Sequence, residues 1–376
     1  MRIAIYQCEP NPAQVDRNLE RLARITKHAS MGGVALLVCP EMYLTGYNIG
    51  VDAVRRLAES SDGTSAHAVA EIARENSVAI IYGYPERGTE DVIFNSAQLF
   101  NAKGTPLANY RKTHLFGDLD NSMFCASDAD SAVVELGGWR VGMLICYDVE
   151  FPENTRKLAL RGTDLIVAPT ANMVRFDVVA TTIVPARAYE NQVYVAYANY
   201  CGYENGLEYC GLSCVAAPDG SDAGRAGRNE ELIICELDRG LLTASRRTAT
   251  YLADRRPQLY AALSTPTPEY EDESPNGGEV APWPRRRTRQ LPKVNDTRDL
   301  SHPETKSVAI PSKTMDSSDT YSGRGPGVPA EIRSVRMNSR MCRNAQRTLC
   351  GCCQFDMLTW TSVGGGKPRG SRDHCH

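Results

Sequence analysis

Short apolar segments alternate with segments of helical periodicity from the start of the chain to about residue 263. The predicted strands are residues 34–38, 78–83, 95–101, 104–111, 141–145, 163–169, 193–198, 211–216 and 231–237. The predicted helices are residues 18–31, 65–76, 153–161 and 181–190. Because the chain has 376 residues, this alternation predicts a layered α/β fold with a large buried core.

Three predicted strands end next to side chains that can transfer protons or act as nucleophiles. They are Glu41 after residues 34–38, Lys112 after residues 104–111 and Cys146 after residues 141–145. In α/β folds, ligands bind beyond the carboxyl ends of the strands. We therefore expect the carboxylate, the amine and the thiol to meet in one site.

The chemistry of these three groups is that of acyl transfer to water. A cysteine thiol with a pKa of about 8.5 is mostly protonated at neutral pH and needs a base or a positive charge nearby. Glu41 is the expected base, and Lys112 would favour the thiolate and stabilise an oxyanion. The backbone N–H of Tyr147 is a second expected oxyanion donor. The predicted intermediate is a thioester on Cys146.

The sequence around the three residues resembles the three signature blocks of the nitrilase superfamily, the carbon–nitrogen hydrolases. The blocks are CPEMYLTGY at 39–47, YRKTHLF at 110–116 and ICYDVEFPE at 145–153. The resemblance covers residues 1–263 and implies an α-β-β-α sandwich with a catalytic triad of Glu41, Lys112 and Cys146. It also implies that no metal or organic cofactor is used, and that subunits pair through helical faces into a homodimer or a higher homo-oligomer.

Substrate-binding residues are predicted around the triad. Many members of the superfamily carry a further glutamate in the loop after the lysine. Residues 117–124 read GDLDNSMF here, so Asp120 is the candidate for that role and Asp118 is the alternative. Tyr147 and Asn172, which each follow a predicted strand, are the other candidates for contact with the substrate.

The resemblance is greatest to amidases that convert a small carboxamide to a carboxylate and ammonia, so the predicted partner is a small-molecule amide. N-carbamoyl-amine hydrolases and nitrilases share the triad and are the alternatives. A catalytically silent scaffold with the same fold is a further alternative, which the presence of all three triad residues disfavours. His114 suggests a Cys–His dyad, but Glu41 already supplies a base, and a single histidine is more often structural.

The composition excludes several classes of partner. A net charge of −3, with 42% hydrophobic and 23% charged residues, predicts no attraction to nucleic acid or to a membrane surface. Residues 1–6 lack the apolar region of a signal peptide, and no apolar run has the length of a membrane span. We therefore expect a cytoplasmic protein in which most of the 13 cysteines are reduced and buried.

The composition changes after residue 263. Residues 264–376 are rich in Pro, Arg and Ser and lose apolar periodicity, which predicts a disordered tail. The tail contains a group of possible zinc ligands, namely Cys342, Cys350, Cys352, Cys353, His374, Cys375 and His376. Their spacing matches no common zinc motif, and two of the cysteines are adjacent, so no metal site is predicted.

Overall fold

Two six-stranded sheets form the centre of the fold in the computed structural model, which describes residues 1–265. The strands are β1 (Arg2–Gln7), β2 (Leu36–Val38), β3 (Ala79–Arg87), β4 (Ile93–Phe100), β5 (Pro106–Arg111), β6 (Val133–Leu136), β7 (Trp139–Met143), β8 (Leu165–Pro169), β9 (Tyr194–Ala198), β10 (Cys201–Glu204), β11 (Leu207–Cys210), β12 (Cys214–Ala216), β13 (Asp222–Arg225) and β14 (Glu231–Glu236). The α-helices are α1 (Val15–Met31), α2 (Val51–Leu57), α3 (Thr64–Asn76), α4 (Gly117–Met123), α5 (Pro152–Leu160), α6 (Val184–Asn191) and α7 (Arg239–Thr248).

The two sheets are built on the same plan. The first sheet has the order β14-β1-β2-β3-β4-β5, with β1, β2 and β3 parallel and the other pairs antiparallel. The second has the order β13-β12-β9-β8-β7-β6, with β7, β8 and β9 parallel and the other pairs antiparallel. The carboxyl ends of β2 and β7 precede Glu41 and Cys146, so each sheet brings one of these residues to the site.

Alternate side chains along a strand reach opposite faces of the sheet, and both faces are buried. Ile3 and Ile5 of β1 share a core with residues of the second sheet, such as Val141. Ala4 and Tyr6 instead belong to a core shared with α1 and α3. The second sheet is covered in turn by α5 and α6, which contribute Leu158 and Ala188 to its core. This arrangement confirms the predicted α-β-β-α sandwich.

Several elements differ from the sequence prediction. The predicted helix at 181–190 begins with a π-turn at Val179–Ile183 before α6, and the predicted strand at 211–216 is reduced to β12. The β10–β11 hairpin was not predicted, although Asn205-Gly206 at its turn is a strong hairpin signal. Both residues have positive φ, as a type I′ turn requires.

The predicted disordered tail and its Cys/His group fall almost wholly in residues 266–376, outside the described residues. Among the helices of residues 1–265, none is long and apolar enough to cross a membrane.

Gly83 of β3 lies where the strand passes the backbone that carries Glu41. A Cβ atom on Gly83 would overlap the backbone nitrogen of Met42 and lie 2.9 Å from the carbonyl carbon of Glu41. The carbonyl oxygen of Gly83 also accepts the N–H of Leu44, at 3.2 Å. The absence of a side chain therefore allows the strand and the Glu41 segment to pack backbone against backbone.

Replacing Gly83 with alanine is expected to lower the free energy of unfolding by about 1–3 kcal/mol, because the methyl group must separate two backbone segments. Gly227 is the matched control, because a Cβ there meets no atom within 4 Å. Gly227→Ala should change stability by no more than about 0.5 kcal/mol. Urea unfolding followed by circular dichroism measures both variants, and equal stability of the two would contradict this close approach.

Candidate active site

Glu41, Lys112 and Asp120 form a buried ion cluster at the end of the first sheet. The Nζ atom of Lys112 donates to Oε1 of Glu41 at 2.8 Å and to Oδ2 of Asp120 at 2.6 Å. All three side chains are fully buried. The structure thus joins two residues of the predicted triad to the predicted substrate-binding residue Asp120.

The cluster is held by groups from β4 and from the loop before α4. Nδ2 of Asn95 donates to Oε1 of Glu41 at 2.7 Å, and the carbonyl oxygen of Asn95 accepts the N–H of Lys112 at 2.8 Å. The N–H of Phe116 donates to Oδ2 of Asp120 at 2.9 Å. These bonds fix both carboxyl groups around the amine, so their positions do not depend on the ion pairs alone.

Two carboxyl oxygens of the cluster have no hydrogen-bond partner within the described part of the chain. They are Oε2 of Glu41 and Oδ1 of Asp120, and both are buried. An unpaired buried acceptor is costly, and in native proteins such groups concentrate where a ligand or a water completes them. Both oxygens are therefore available to N–H or O–H donors of a bound molecule.

Cys146 begins a short 3₁₀ turn, Cys146–Glu150, between β7 and α5. Its φ is 48°, in the left-handed region that a residue with a side chain rarely occupies. Such backbone strain concentrates at functional sites, where the surrounding structure maintains it. The residue is partly exposed, and the N–H of Ala171 is hydrogen-bonded to its sulfur.

The protonation of the site follows from burial and from the opposed charges. Burial raises the pKa of the Cys146 thiol well above its usual value, Glu41 raises it further, and Lys112 opposes the rise. Burial also raises the pKa of Glu41, against the effect of Lys112. For Lys112, burial lowers the pKa, but the carboxylates of Glu41 and Asp120 outweigh it, so the pKa lies well above its usual value. The resting site therefore holds an ammonium group and a neutral thiol beside a carboxylate with raised proton affinity.

Asp148, for which the sequence pattern predicts no role, accepts hydrogen bonds from both sides of the site. Its Oδ2 accepts from the hydroxyl of Tyr110 at 2.9 Å and from the N–H of Ile145 at 3.1 Å. Its Oδ1 accepts from the hydroxyl of Thr113 and from the N–H of His114, each at 2.9 Å. The buried carboxylate thus links the residues flanking Lys112 to the residue preceding Cys146.

His114 takes a structural position. Its Nδ1 lies 3.0 Å from Oδ1 of Asp148, and its ring stacks on Phe151 with a centroid separation of 4.1 Å. Arg187 of α6 supports the far end of the turn by donating to the carbonyl oxygens of Val149 and Glu150, at 3.1 and 2.7 Å. The Cys146 turn is therefore fixed at both ends.

The other two predicted substrate-binding residues lie close to the site in different ways. Tyr147 is partly exposed, and its ring packs against Phe116 with a centroid separation of 5.3 Å. Nδ2 of Asn172 donates to the carbonyl oxygen of Phe176 at 3.0 Å and to the sulfur of Cys210 at 3.6 Å. Those bonds occupy the Asn172 amide in holding its own loop, and contact of Asn172 with a substrate stays a prediction.

Asn95 and Asp148 differ in how far the sequence could have revealed them. Asp148 lies inside the block at 145–153, two residues after Cys146, where the local pattern does not distinguish a buried carboxylate from an exposed one. Asn95 is a polar residue in the otherwise largely apolar start of β4, and such a residue in a buried strand must find a partner. The need for a hydrogen-bond partner therefore marks Asn95 as a residue of interest, but the sequence pattern does not identify Glu41 as that partner.

Comparisons with known proteins all point to the same family of hydrolases. The sequence profile of the carbon–nitrogen hydrolases matches residues 2–247. The chain is 56% identical over 264 residues to a hydrolase in the pqqF 5′ region of Pseudomonas protegens, covering 70% of this chain and 92% of the relative. It is 34% identical to a nitrilase of Pyrococcus abyssi, covering 69% of this chain and 99% of the relative.

A solved structure of an amidase from Nesterenkonia sp. AN1 has the same fold. The TM-score is 0.61 at 31% identity, and the match covers 70% of this chain and 99% of the amidase. That structure is a glutamate-to-glutamine variant in which acrylamide has added to the active-site cysteine. The resemblance seen in the three sequence blocks is thereby confirmed.

Replacing Asp148 with asparagine is expected to lower the free energy of unfolding by about 1–3 kcal/mol, because the new amide group leaves buried N–H or O–H donors without an acceptor. Asp130→Asn is the matched control, since Asp130 is a half-exposed carboxylate paired with Lys157 and Arg161 on the surface. That change should cost no more than about 1 kcal/mol. Thermal and urea unfolding of both variants measure the difference, and an Asp148→Asn protein as stable as its control would refute the linking role.

Proposed function

Because the chain belongs to the carbon–nitrogen hydrolase family, we propose that it hydrolyses a small carboxamide to a carboxylate and ammonia through a thioester on Cys146. The observation that carries the proposal is the buried ammonium of Lys112 held between Glu41 and Asp120. The charges of Lys112 and Glu41 both act on the pKa of the Cys146 thiol. In this proposal Cys146 is the nucleophile, Glu41 the general base and Lys112 the oxyanion donor.

Acylation begins with a neutral thiol. Because the pKa of Cys146 is raised, the thiol keeps its proton until a base removes it, and the raised pKa of Glu41 makes that carboxylate a stronger base than an exposed one. As the proton moves to Glu41, the sulfur attacks the carbonyl carbon. The developing oxyanion accepts hydrogen bonds from Nζ of Lys112 and from the N–H of Tyr147.

Collapse of the tetrahedral intermediate breaks the carbon–nitrogen bond. Glu41 returns its proton to the nitrogen, which leaves as ammonia, and the acyl group stays on the sulfur. Glu41 then takes a proton from water as the water attacks the thioester. It gives this proton to the sulfur as the carbon–sulfur bond breaks, which restores the thiol of Cys146 and releases the carboxylic acid. One carboxylate thus serves both half-reactions.

The two unpaired oxygens of Glu41 and Asp120 favour an amide over a nitrile. A primary amide has two N–H donors on its leaving nitrogen, and the site has two buried acceptors without partners, Oε2 of Glu41 and Oδ1 of Asp120. A nitrile has no N–H donor and would leave both oxygens unpaired, at a cost in binding. The terminal amide of an N-carbamoyl amine would also pair with them, so that class stays the nearest alternative.

The predicted homodimer and cytoplasmic location are part of the same proposal. Half-exposed apolar side chains, including Leu160 of α5 and Tyr189 of α6, support pairing through the helical faces, which sedimentation equilibrium would test.

The eight cysteines in residues 1–265 are all free thiols, as a reducing compartment would keep them.

Ammonia release from a panel of small carboxamides, N-carbamoyl amines and nitriles tests the proposed reaction. We expect release from the carboxamides, and we expect Cys146→Ala to lower kcat at least about a thousandfold. Cys125→Ala, which removes an exposed thiol, is the matched control and should leave activity unchanged. Release from N-carbamoyl amines or nitriles alone would overturn the substrate class, and an active Cys146→Ala variant would overturn the mechanism.

The neutral resting thiol leads to a separate expectation for pH dependence. Alkylation of Cys146 by iodoacetamide should continue to accelerate through pH 9, because the raised pKa leaves little thiolate below that pH. Mass spectrometry of the Cys146 peptide, in a Cys125→Ala background, measures the rate. A rate that levels off below about pH 8 would indicate a preformed thiolate and contradict the role of Glu41 as the base for the thiol.

A further inference from the structure

Three aromatic side chains near the ion cluster are at least partly exposed. The ring of Phe116 lies between those of Tyr147 and Phe176, with centroid separations of 5.3 and 5.7 Å. Tyr147 also meets Phe151, at 4.9 Å. The three pairs are edge-to-face, the geometry that aromatic quadrupoles favour. We refer to Phe116, Tyr147 and Phe176 as the aromatic rim.

Two residues of the rim, Phe116 and Tyr147, are attached to groups of the candidate site. Tyr147 follows Cys146 directly. The N–H of Phe116 binds Oδ2 of Asp120, the same oxygen that Lys112 binds. The rim is therefore built on the Cys146 turn and on the residue that precedes α4, the helix that carries Asp120. Phe176 joins it through its edge contact with Phe116.

The rim combines apolar surface with exposure. Phe176 keeps 41% of its surface exposed, and Phe116 and Tyr147 are partly exposed. Leu119 of α4 and Met173, three residues away in sequence from Phe116 and Phe176, are partly buried apolar side chains packed against the core that α1 and α3 cover. Covering such surface with an apolar group is favourable because it removes apolar area from water.

The charges of the ion cluster disfavour an anionic substrate. One ammonium group, on Lys112, faces two carboxyl groups, on Glu41 and Asp120, so no positive charge is left over for a substrate carboxylate. A carboxylate placed against the rim would lose hydration without gaining a partner. Arg175 precedes Phe176 and is exposed, so an anionic substrate is the alternative that an experiment must exclude.

We propose that the aromatic rim binds the acyl group of the substrate, and that the preferred substrates are primary carboxamides with an apolar alkyl or arylalkyl acyl chain. This inference rests on the proposed amidase function and adds the substrate class to it. Phe116, between the other two rings, is the central specificity-determining residue.

The experiment compares phenylacetamide, acetamide and succinamic acid as substrates, with ammonia release as the readout. The wild-type protein should have a higher kcat/KM for phenylacetamide than for the other two. Phe116→Leu should reduce the ratio of kcat/KM for phenylacetamide to that for acetamide about tenfold, the scale of selectivity in apolar pockets. Because both substrates are measured on one sample, the ratio does not depend on the folded fraction. Tyr203→Leu, at an exposed tyrosine, is the control and should leave the ratio unchanged.

A preference for succinamic acid, or a ratio that Phe116→Leu leaves unchanged, would overturn the role of the rim while amide hydrolysis stood. Failure to hydrolyse any of the three amides, with N-carbamoyl amines or nitriles hydrolysed instead, would overturn the proposed function and this inference together. The two failures are therefore distinguished by whether acetamide yields ammonia.

Discussion

The ammonium group of Lys112, buried without access to water, is the constraint on which the rest of the site depends. An isolated buried charge costs several kcal/mol, so an amine at this position requires carboxylates at short range and a framework that holds them there. Glu41 and Asp120 supply the charge, and Asn95 and the N–H of Phe116 fix the two carboxyl groups. Glu41 follows β2, Asn95 lies on β4, Phe116 precedes α4 and Asp120 lies within α4. The ion cluster can therefore form only when the end of the first sheet and the loop before α4 are in place.

The same constraint separates what the sequence could predict from what it could not. Strand periodicity places Glu41, Lys112 and Cys146 at strand ends, and the fold rule for such ends brings them together, so the predicted sandwich is confirmed and the three residues were identifiable from local patterns. The distant partners of the Asp148 and Asn95 side chains lie 34 to 54 positions away in the chain. They are His114, Thr113 and Tyr110 for Asp148, and Glu41 for Asn95. Such pairings depend on strand register, which periodicity does not give.

The aromatic rim could not be predicted from the sequence, for a related reason. Phe116 and Tyr147 lie in the quoted blocks, yet nothing in their local pattern shows that their rings meet. Phe176 lies in a loop without periodicity, where an exposed aromatic residue has no predicted partner. Asp148, in the turn after β7, accepts hydrogen bonds from Thr113 and His114 in the segment after β5, so it brings together the segments that carry Phe116 and Tyr147. This is a tertiary effect.

The raised pKa of the Cys146 thiol also gives the rim a part in the chemistry. A thiol that stays neutral until Glu41 removes its proton is activated only when a carbonyl carbon is close enough to be attacked. Any group that holds the acyl chain in place therefore contributes to the rate as well as to binding, because it sets how often the carbonyl meets the sulfur. If the rim binds the acyl chain, a poorly fitting chain should reduce kcat as well as raise KM. The ion cluster would then determine which bond is broken. The rim would determine which molecules bind with that bond close to the thiol.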